Sequence, residues 1–444
     1  MGKRVEAPKN WRAYQNNLQQ GRRIRKAIRK ALLLILYAGG ISSLVFLGIY
    51  GGNRILVHFS EASYPKPPIA EKPAARVDSV DTEELWPLMS AQFGSSGDAP
   101  DSFSILRNDT RLLVQTTILP KLQDYIYHLL EQSQTEKAAV MVLHPSDGRV
   151  LAMASYQKGE KKGKNLCLLS QFPAASLFKI VSASAAIEKA HFTPNRTVNF
   201  VGRGHTLYRN QLTKKVNRYS NKITFRKAFA KSINPVFGKL GIYTLGRKTI
   251  VDYAHRFFFN RPIFFDLPLS PSVVDVPEDP YGIAEIACGF NRRTRISPLH
   301  AALFSCAVAN GGKVMRPWVI SRISEDSKPV YEAHPGVLGI PIAAKTARNL
   351  QSMMEDTIRY GTCRKSFRRF RGRKPFRDLR LGAKTGTIND SSDHYKYDWV
   401  TAYAVKKNGR DGICLAVLEL HGEKLGTRSR EIARAVISYV FRSS

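Results

Sequence analysis

From Arg111 onward the apolar positions become regular and outline strands and helices. Short apolar runs bounded by turn residues are typical of strands, whereas apolar residues three and four apart indicate a helix. The first part of this region predicts strands at 112–117, 138–143 and 150–154 and a helix at 119–130. Pro145-Ser146-Asp147-Gly148 has turn chemistry and predicts a hairpin between the second and third of these strands.

The C-terminal part contains a second hairpin signal. Apolar runs at 399–405 and 412–418 flank Lys407-Asn408-Gly409, and residues 429–441 have helical spacing. Strands at both ends of the region with helices between them indicate an α+β domain. Its sheet is expected to combine N-terminal and C-terminal segments.

The first 110 residues differ in pattern from the rest. Residues 1–30 carry ten Lys or Arg and one acid, Glu6, and the following 23-residue stretch is uncharged. About 20 apolar residues span a bilayer core, and basic flanks stay in the cytoplasm. We therefore expect a basic cytoplasmic tail at 1–30, a transmembrane signal anchor at 31–53, a Pro-rich linker or small pedestal at 54–110 and one folded domain at 111–444.

The formal net charge of +34 favours polyanionic surroundings such as nucleic acid, acidic lipid headgroups or an anionic wall polymer. Because the charge-rich region after the anchor is predicted to lie outside the membrane, we expect lipid or wall as its partner and no nucleic acid. The five cysteines are odd in number and contain no C-x-x-C pair. They indicate no zinc site and no disulfide framework, although a single disulfide stays open, and we expect neither a metal nor a cofactor.

The first candidate for chemistry is Ser176-Leu177-Phe178-Lys179. A serine and a lysine three residues apart face each other only on a helix. Of three S-x-x-K sequences, only this one leads into a helix-like stretch of small and apolar residues, 180–188. Burial of that helix would lower the pKa of the Lys179 ammonium, and a neutral lysine is the base that Ser176 needs as a nucleophile. The alternative is a surface helix with an ordinary Ser and Lys.

Two further motifs follow in the chain. Ser232-Ile233-Asn234 comes after a helix-like stretch, at a break before Pro235, where a hydroxyl and an amide can bond Lys179 and a substrate peptide group. Lys384-Thr385-Gly386-Thr387 suits an edge strand on which glycine permits close approach of a ligand backbone. Its lysine and hydroxyls can bind a carboxylate. Taken alone, a helix end and a basic strand end would explain these two motifs.

The three motifs occur together in the expected order, and no H-E-x-x-H, G-x-S-x-G or P-loop competes with them. Gly202-Arg203-Gly204 is too weak a glycine pattern to interpret, and His394 is interpreted as a surface residue. With these motifs the chain resembles the transpeptidase domain of penicillin-binding proteins, of the monofunctional class B type, from about Leu113 to the C-terminus. The resemblance implies a β-lactamase-like fold, with a five-stranded antiparallel sheet flanked by helices and an α-helical subdomain.

The resemblance also implies roles for the motif residues. Ser176 would attack the D-Ala-D-Ala carbonyl of a stem peptide and form an acyl-enzyme, with Lys179 as its general base. Ser232 would relay a proton, and Asn234 would orient Lys179 and the substrate amide. The substrate carboxylate would be bound by the third motif, Lys384, Thr385, Gly386 and Thr387. The backbone N–H groups of Ser176 and Thr387 would form the oxyanion hole.

The resemblance further implies peptidoglycan stem peptides and β-lactams as ligands and a single-pass protein of the bacterial cytoplasmic membrane with its domain outside. About 60 residues separate the anchor from the first domain strand, too few for a glycosyltransferase domain, so a lipid-linked glycan polymerase is a candidate partner. A D,D-carboxypeptidase, a β-lactamase and a non-catalytic β-lactam sensor remain alternatives. The basic segment 364–380 is either a solvated loop or a docking surface for anionic wall or lipid.

Overall fold

The computed structural model describes residues 82–90, 92–93, 100–160, 164–216, 218–368, 370, 376–407, 409 and 411–442. The predicted cytoplasmic tail and signal anchor lie outside these residues, as does most of the predicted linker. Within the described ranges there is no helix with the length and apolar character needed to cross a bilayer.

The strands of the described part are numbered in chain order. They are β1 (Ser102–Arg107), β2 (Thr110–Thr116), β3 (Lys137–Leu143), β4 (Val150–Gln157), β5 (Phe172–Pro173), β6 (Thr197–Phe200), β7 (Asn221–Thr224), β8 (Arg295–Ile296), β9 (Val314–Met315), β10 (Ile320–Glu325), β11 (Lys328–Glu332), β12 (Val337–Gly339), β13 (Leu379–Asn389), β14 (Lys396–Lys406) and β15 (Gly412–His421). The strands and both hairpins predicted from the apolar pattern are confirmed.

The α-helices are numbered in the same way. They are α1 (Trp86–Ser90), α2 (Pro120–Glu131), α3 (Lys179–Lys189), α4 (Phe225–Ala230), α5 (Asn234–Leu240), α6 (Gly246–Arg256), α7 (Pro280–Cys288), α8 (Pro298–Ala309), α9 (Ala344–Arg359), α10 (Arg364–Phe367) and α11 (Ser429–Arg442). Short 3₁₀ turns lie at Thr82–Leu85, Leu166–Leu168, Ala175–Phe178, Arg209–Leu212 and Phe376–Asp378, and a π-helical turn lies at Gly241–Leu245.

The central sheet has five antiparallel strands in the order β13-β14-β15-β3-β4. The N-terminal hairpin and the C-terminal hairpin meet where β15 pairs with β3, with Cys414 opposite Leu143 and Val417 opposite Val140. This arrangement confirms the expected α+β fold and the expected sheet composition. It leaves β13, which carries the third motif, at one edge of the sheet.

Each face of the sheet packs on its own apolar core, as the two-residue alternation of a strand requires. On β14, Trp399 and Tyr403 face the larger core, whereas Val400 and Ala402 face the smaller one. The larger core includes residues of α3, α5, α7 and α8, and the smaller core includes residues of α2 and α11. Helices therefore cover both faces of the sheet.

A second sheet of four strands, β1-β2-β10-β11, lies outside the central one. Its β1–β2 hairpin turns at Asn108 and Asp109, whose φ angles of 47° and 63° are of the left-handed kind that Asn and Asp tolerate. The hairpin joins residues 102–107 to the strand predicted at 112–117, so the segment boundary drawn after residue 110 falls inside it.

Candidate active site

The first motif lies where a 3₁₀ turn leads into α3. Ser176 belongs to the turn and is partly exposed, whereas Lys179 opens α3 and is completely buried. The preceding residue, Ala175, has a φ of 48°, a strained value for alanine. The expected helix of small residues is therefore present and buried, with the hydroxyl at its solvent-facing end and the amine beneath it.

Three oxygen atoms surround the amine of Lys179. Its Nζ lies 2.7 Å from Ser176 Oγ, 2.7 Å from Asn234 Oδ1 and 2.5 Å from the backbone O of Cys288. The amide oxygen and the backbone carbonyl can only accept hydrogen bonds. A neutral amine has two N–H donors for these two acceptors, and its free electron pair is then directed at the Ser176 hydroxyl. The geometry thus suits a base that takes the proton of Ser176.

The electrostatics of the site favour that neutral amine. Burial lowers the pKa of Lys179 to about 8, although the neighbouring Cys288 raises it. Lys384 is also fully buried, and its pKa is held well below the usual lysine value by burial and by the proximity of Lys179. Phenylalanine rings form an apolar wall, with the centroid of Phe237 5.6 Å from Lys179 Nζ and that of Phe229 5.6 Å from Lys384 Nζ.

The second motif occupies the break between α4 and α5. Ser232 has a φ of 55°, which ends the first helix, and Asn234 begins the next one before Pro235. This sharp turn directs Asn234 at Lys179, and Ser232 Oγ accepts a hydrogen bond of 3.0 Å from Lys384 Nζ. The serine and asparagine of the motif are therefore each bonded to one of the two buried lysines.

The third motif lies on the edge strand β13, beside the nucleophile turn. A Cβ atom at Gly386 would lie 3.1 Å from the Cβ of Ala175 and 3.2 Å from the backbone N of Ser176. Only glycine fits this approach without displacing its neighbours. It brings the backbone of the motif next to the Ser176 amide, the donor assigned to an oxyanion hole from the sequence.

The two threonine hydroxyls of this motif have partners within the protein. Thr385 Oγ1 lies 2.6 Å from Thr362 Oγ1, and Thr387 Oγ1 donates to Asp398 Oδ1 at 3.2 Å. Arg428 donates two bonds to the same Asp398 carboxylate, at 2.7 Å and 2.9 Å. Burial raises the pKa of Asp398, but the hydrogen bonds from Arg428, together with the His421 ring 3.8 Å away and the backbone N of Ser429, outweigh it and hold the pKa far below the usual value.

Several residues of the site carry no sequence signal of their own. Cys288 contributes only its carbonyl, from the end of α7, and the adjacent Gly289 has a φ of +69°. A Cβ at Gly289 would lie 1.9 Å from the O of Ala175, so this helix end packs directly on the nucleophile turn. In the sequence, an apolar helix that ends in glycine indicates a packed helix end. It does not show which segment the helix end packs against.

A histidine at the rim of the site was also missed. Burial lowers the pKa of His205, as do the nearby Lys179 and Lys384, and its ring forms a hydrogen bond with the backbone of Ser232. The side chain of His205 is exposed and lies close enough to the two buried lysines for their charges to act on it. His394 is exposed, as expected for a surface residue.

A separate cavity of about 380 Å³ lies beside the start of β13 and contains none of the motif residues. Its lining combines one carboxylate and four cationic side chains with apolar ones: Glu355, Ile358, Arg359, Phe376, Arg377, Leu379, Arg380, Leu381 and Lys407. The basic segment 364–380 supplies four of these residues.

Comparison with known proteins identifies one family. The model of the penicillin binding protein transpeptidase domain matches residues 138–438. Stage V sporulation protein D of Bacillus subtilis is 22% identical over 299 residues, which cover 64% of this chain and 45% of that protein. The peptidoglycan D,D-transpeptidase PbpA of Mycobacterium tuberculosis is 25% identical over 249 residues, covering 47% of this chain and 48% of that one. The chain thus spans about half the length of these relatives.

Solved structures share the fold. Penicillin-binding protein A from Mycobacterium tuberculosis, as a ceftriaxone acyl-enzyme complex, superposes with a TM-score of 0.59 at 22% identity, covering 73% of this chain and 79% of that one. The apo form of penicillin binding protein 3 from the same organism gives a TM-score of 0.62 at 17% identity, covering 80% and 96%. At these identities the likeness establishes the fold alone.

Proposed function

Because the chain belongs to the penicillin-binding protein transpeptidase family, we propose that it is a serine D,D-transpeptidase that cross-links peptidoglycan stem peptides. The observation that carries this proposal is the buried amine of Lys179, 2.7 Å from a partly exposed Ser176 hydroxyl. The names of the relatives, a peptidoglycan D,D-transpeptidase and penicillin-binding proteins, support the same activity and substrate.

Acylation begins when the neutral Lys179 amine takes the Ser176 proton and Oγ attacks the D-Ala-D-Ala carbonyl. The negative charge on the carbonyl oxygen is met by the N–H groups of Ser176 and Thr387. Gly386, the residue before Thr387, supports this role because it packs against the Ser176 amide. Losing one donor of an oxyanion hole typically costs about 3 kcal/mol. The C–N bond then breaks, and the departing amine of D-alanine takes the proton that Lys179 received. This proton passes through the Ser232 hydroxyl, which accepts a hydrogen bond from Lys384.

The third motif binds the terminal carboxylate of the donor peptide. The carboxylate favours the protonated form of the buried Lys384 amine, which then donates to it. The Thr385 hydroxyl is exchanged from Thr362 to the substrate. Deacylation reverses the acylation steps, with an amine of a neighbouring stem peptide in the position that D-alanine has left. That amine loses a proton to Lys179 as it attacks the ester. The C–O bond to Ser176 then breaks, and Lys179 passes the proton to Oγ, so the enzyme returns to its starting state.

The proposal is tested by labelling the domain with a fluorescent penicillin and mapping the modified residue by mass spectrometry. We expect one stable adduct, on Ser176, which Ser176→Ala abolishes. Ser155→Ala removes the serine of another S-x-x-K sequence and should label normally. Labelling of the Ser176→Ala variant would refute the assigned site.

Cross-linking itself separates the alternative activities. With stem-peptide substrates, a dimeric product that requires both Ser176 and an amine acceptor supports the transpeptidase. Release of D-alanine without dimers would indicate a carboxypeptidase. Rapid turnover of penicillin would indicate a β-lactamase, and labelling without any peptide reaction would indicate a sensor. Each of the last three results would overturn the proposed reaction.

We further propose that residues 31–53 anchor the protein in the bacterial cytoplasmic membrane as a single pass, with the domain outside, and that it works beside a lipid-linked glycan polymerase. The cationic cavity beside β13 supports contact of the segment 364–380 with anionic wall or lipid. Fractionation of cells that express the full chain or a variant without residues 1–53 tests the anchor. Equal partition of the two into the membrane fraction would contradict it.

A further inference from the structure

A loop between β6 and β7 closes around one buried side chain, that of Gln211, which is 3% exposed. Its Nε2 donates to the carbonyls of Val201 and Arg203, each at 2.9 Å. Its Oε1 accepts from the backbone N of Tyr208 at 2.8 Å and from Thr206 Oγ1 at 3.0 Å. Both N–H donors and both acceptor positions of the amide are thus used by this one loop.

We call residues 201–208 the anchored loop. It contains Gly202-Arg203-Gly204, and each glycine makes a close approach. A Cβ at Gly202, where φ is +72°, would lie 3.0 Å from Gln211 Nε2, and a Cβ at Gly204 would lie 2.5 Å from Ile233 Cδ1. The glycines therefore let the loop close on Gln211 on one side and on the second motif on the other.

The anchored loop contacts Asn234 at two points. The carbonyl of Gly204 accepts from the backbone N of Asn234 at 2.6 Å, and the carbonyl of His205 accepts from its Nδ2 at 3.1 Å. Because a carbonyl only accepts, the His205 carbonyl selects the NH₂ end of the amide. Oδ1 is then turned towards Lys179, 2.7 Å away.

The orientation of this amide decides what Lys179 can do. With Oδ1 facing Nζ, the two acceptors Oδ1 and Cys288 O use both N–H groups of the neutral amine, and its electron pair is free for Ser176. With the amide reversed, Nδ2 would donate to that electron pair and compete with the Ser176 hydroxyl for it.

We propose that Gln211 is a positioning residue for catalysis: by holding the anchored loop, it fixes the amide of Asn234 so that the electron pair of Lys179 is directed at Ser176. Gln211 touches neither lysine nor nucleophile in the described contacts, so its effect passes through the loop. The inference rests on the proposed function of the site, but it concerns how the base is oriented.

The test compares Gln211→Ala with Gln123→Ala. Gln123 is a matched control because it is also buried, at 2% exposure, and bonds a backbone segment, the N and O of Met153, away from the site. We expect Gln211→Ala to lower the plateau rate of penicillin acylation by about 10-fold to 100-fold, a loss typical of impaired general base catalysis. Gln123→Ala should stay within about twofold of the wild-type plateau, since no base is touched.

A second readout does not depend on activity. Loss of the Oδ1 acceptor removes a partner of the Lys179 ammonium, so the Lys179 pKa should fall further in Gln211→Ala, as measured by NMR titration of ¹³Cε-labelled lysine. The titratable groups facing Lys179 are Lys384, His205 and the Cys288 thiol, and all are retained. A merely structural defect would not produce this combination of a lower plateau and a lower pKa.

Gln211→Glu keeps the size and the acceptor oxygen but places a carboxylate oxygen against the carbonyls of Val201 and Arg203. Because these oxygens repel each other, we expect a loss at least as large in the same direction. The proposal would be overturned if a folded Gln211 variant kept the wild-type plateau rate of acylation and the wild-type pKa of Lys179. It would also be overturned if Gln123→Ala changed both quantities as much as Gln211→Ala does. If penicillin fails to label Ser176 in the wild type, the proposed function fails, whereas the NMR titration still decides the positioning role.

Discussion

The lowered pKa of Lys179 makes acylation depend on pH in a direction that can be worked out. Lysine ordinarily titrates near 10.5, and burial lowers the pKa of Lys179 to about 8. The reactive form is the neutral amine, so the rate should rise as pH rises through that value. The neutral fraction is about 9% at pH 7, about 50% at pH 8 and about 91% at pH 9, from the ordinary titration relation. The second-order acylation rate should therefore increase about tenfold between pH 7 and pH 9.

Stopped-flow measurement of acylation by a penicillin that does not ionise between pH 6 and pH 10 tests this magnitude. Ser176→Ala provides the blank, and circular dichroism at each pH shows that the fold is intact. A profile that is flat over the range, or one whose midpoint lies near the ordinary lysine value, would refute the assignment of Lys179 as a desolvated base. A falling profile would require an acid in its place.

Three further predictions concern the packing that supports the site. Arg428→Met should destabilise the domain by about 3 kcal/mol in denaturant unfolding, because it leaves the buried Asp398 carboxylate without its main partner. A second substitution in the same chain, Asp398→Asn, should recover part of this loss. No recovery would argue against a stabilising ion pair between Arg428 and Asp398. Gly289→Ala should abolish acylation or folding because of its clash with the O of Ala175, whereas Gly311→Ala, at a similar φ of +65° but with nothing within 4 Å, should cost only about 1 kcal/mol; equal losses would contradict the steric reasoning. The five free cysteines are all buried, so Ellman's reagent should modify none of them in the native protein and all of them after unfolding; rapid native reaction would show a more open core.

The strands of the central sheet could be predicted from the sequence because their apolar runs are long and turn residues separate them. The helix after Ser176 was accessible for the same reason, since small residues at every position from Ser182 to Ala186 require burial on all sides. Local pattern is sufficient where a segment is apolar along its whole length. It failed for β1, whose six residues have only one buried side chain, Ile105.

Contacts between segments that are far apart along the chain could not be predicted from the sequence. Cys288 lies 109 positions after Lys179, and only the path of the backbone brings its carbonyl to the amine. Gly202-Arg203-Gly204 was too weak as a motif to interpret. Its glycines are required by the close packing of Gln211 and Ile233, and no rule of sequence spacing connects those residues to them. Thr362 and Asp398 likewise reach the third motif only through folding.

The pairing of β15 with β3 has a consequence for how the protein is made. The two strands are far apart along the chain, since Cys414 of β15 pairs with Leu143 of β3. A nascent chain must therefore keep β3 and β4 without this partner until β15 has left the ribosome. A premature stop before β15 removes the middle strand of the sheet. Because the closing pair is so distant in sequence, folding is expected to be slower than in a domain built from local pairs.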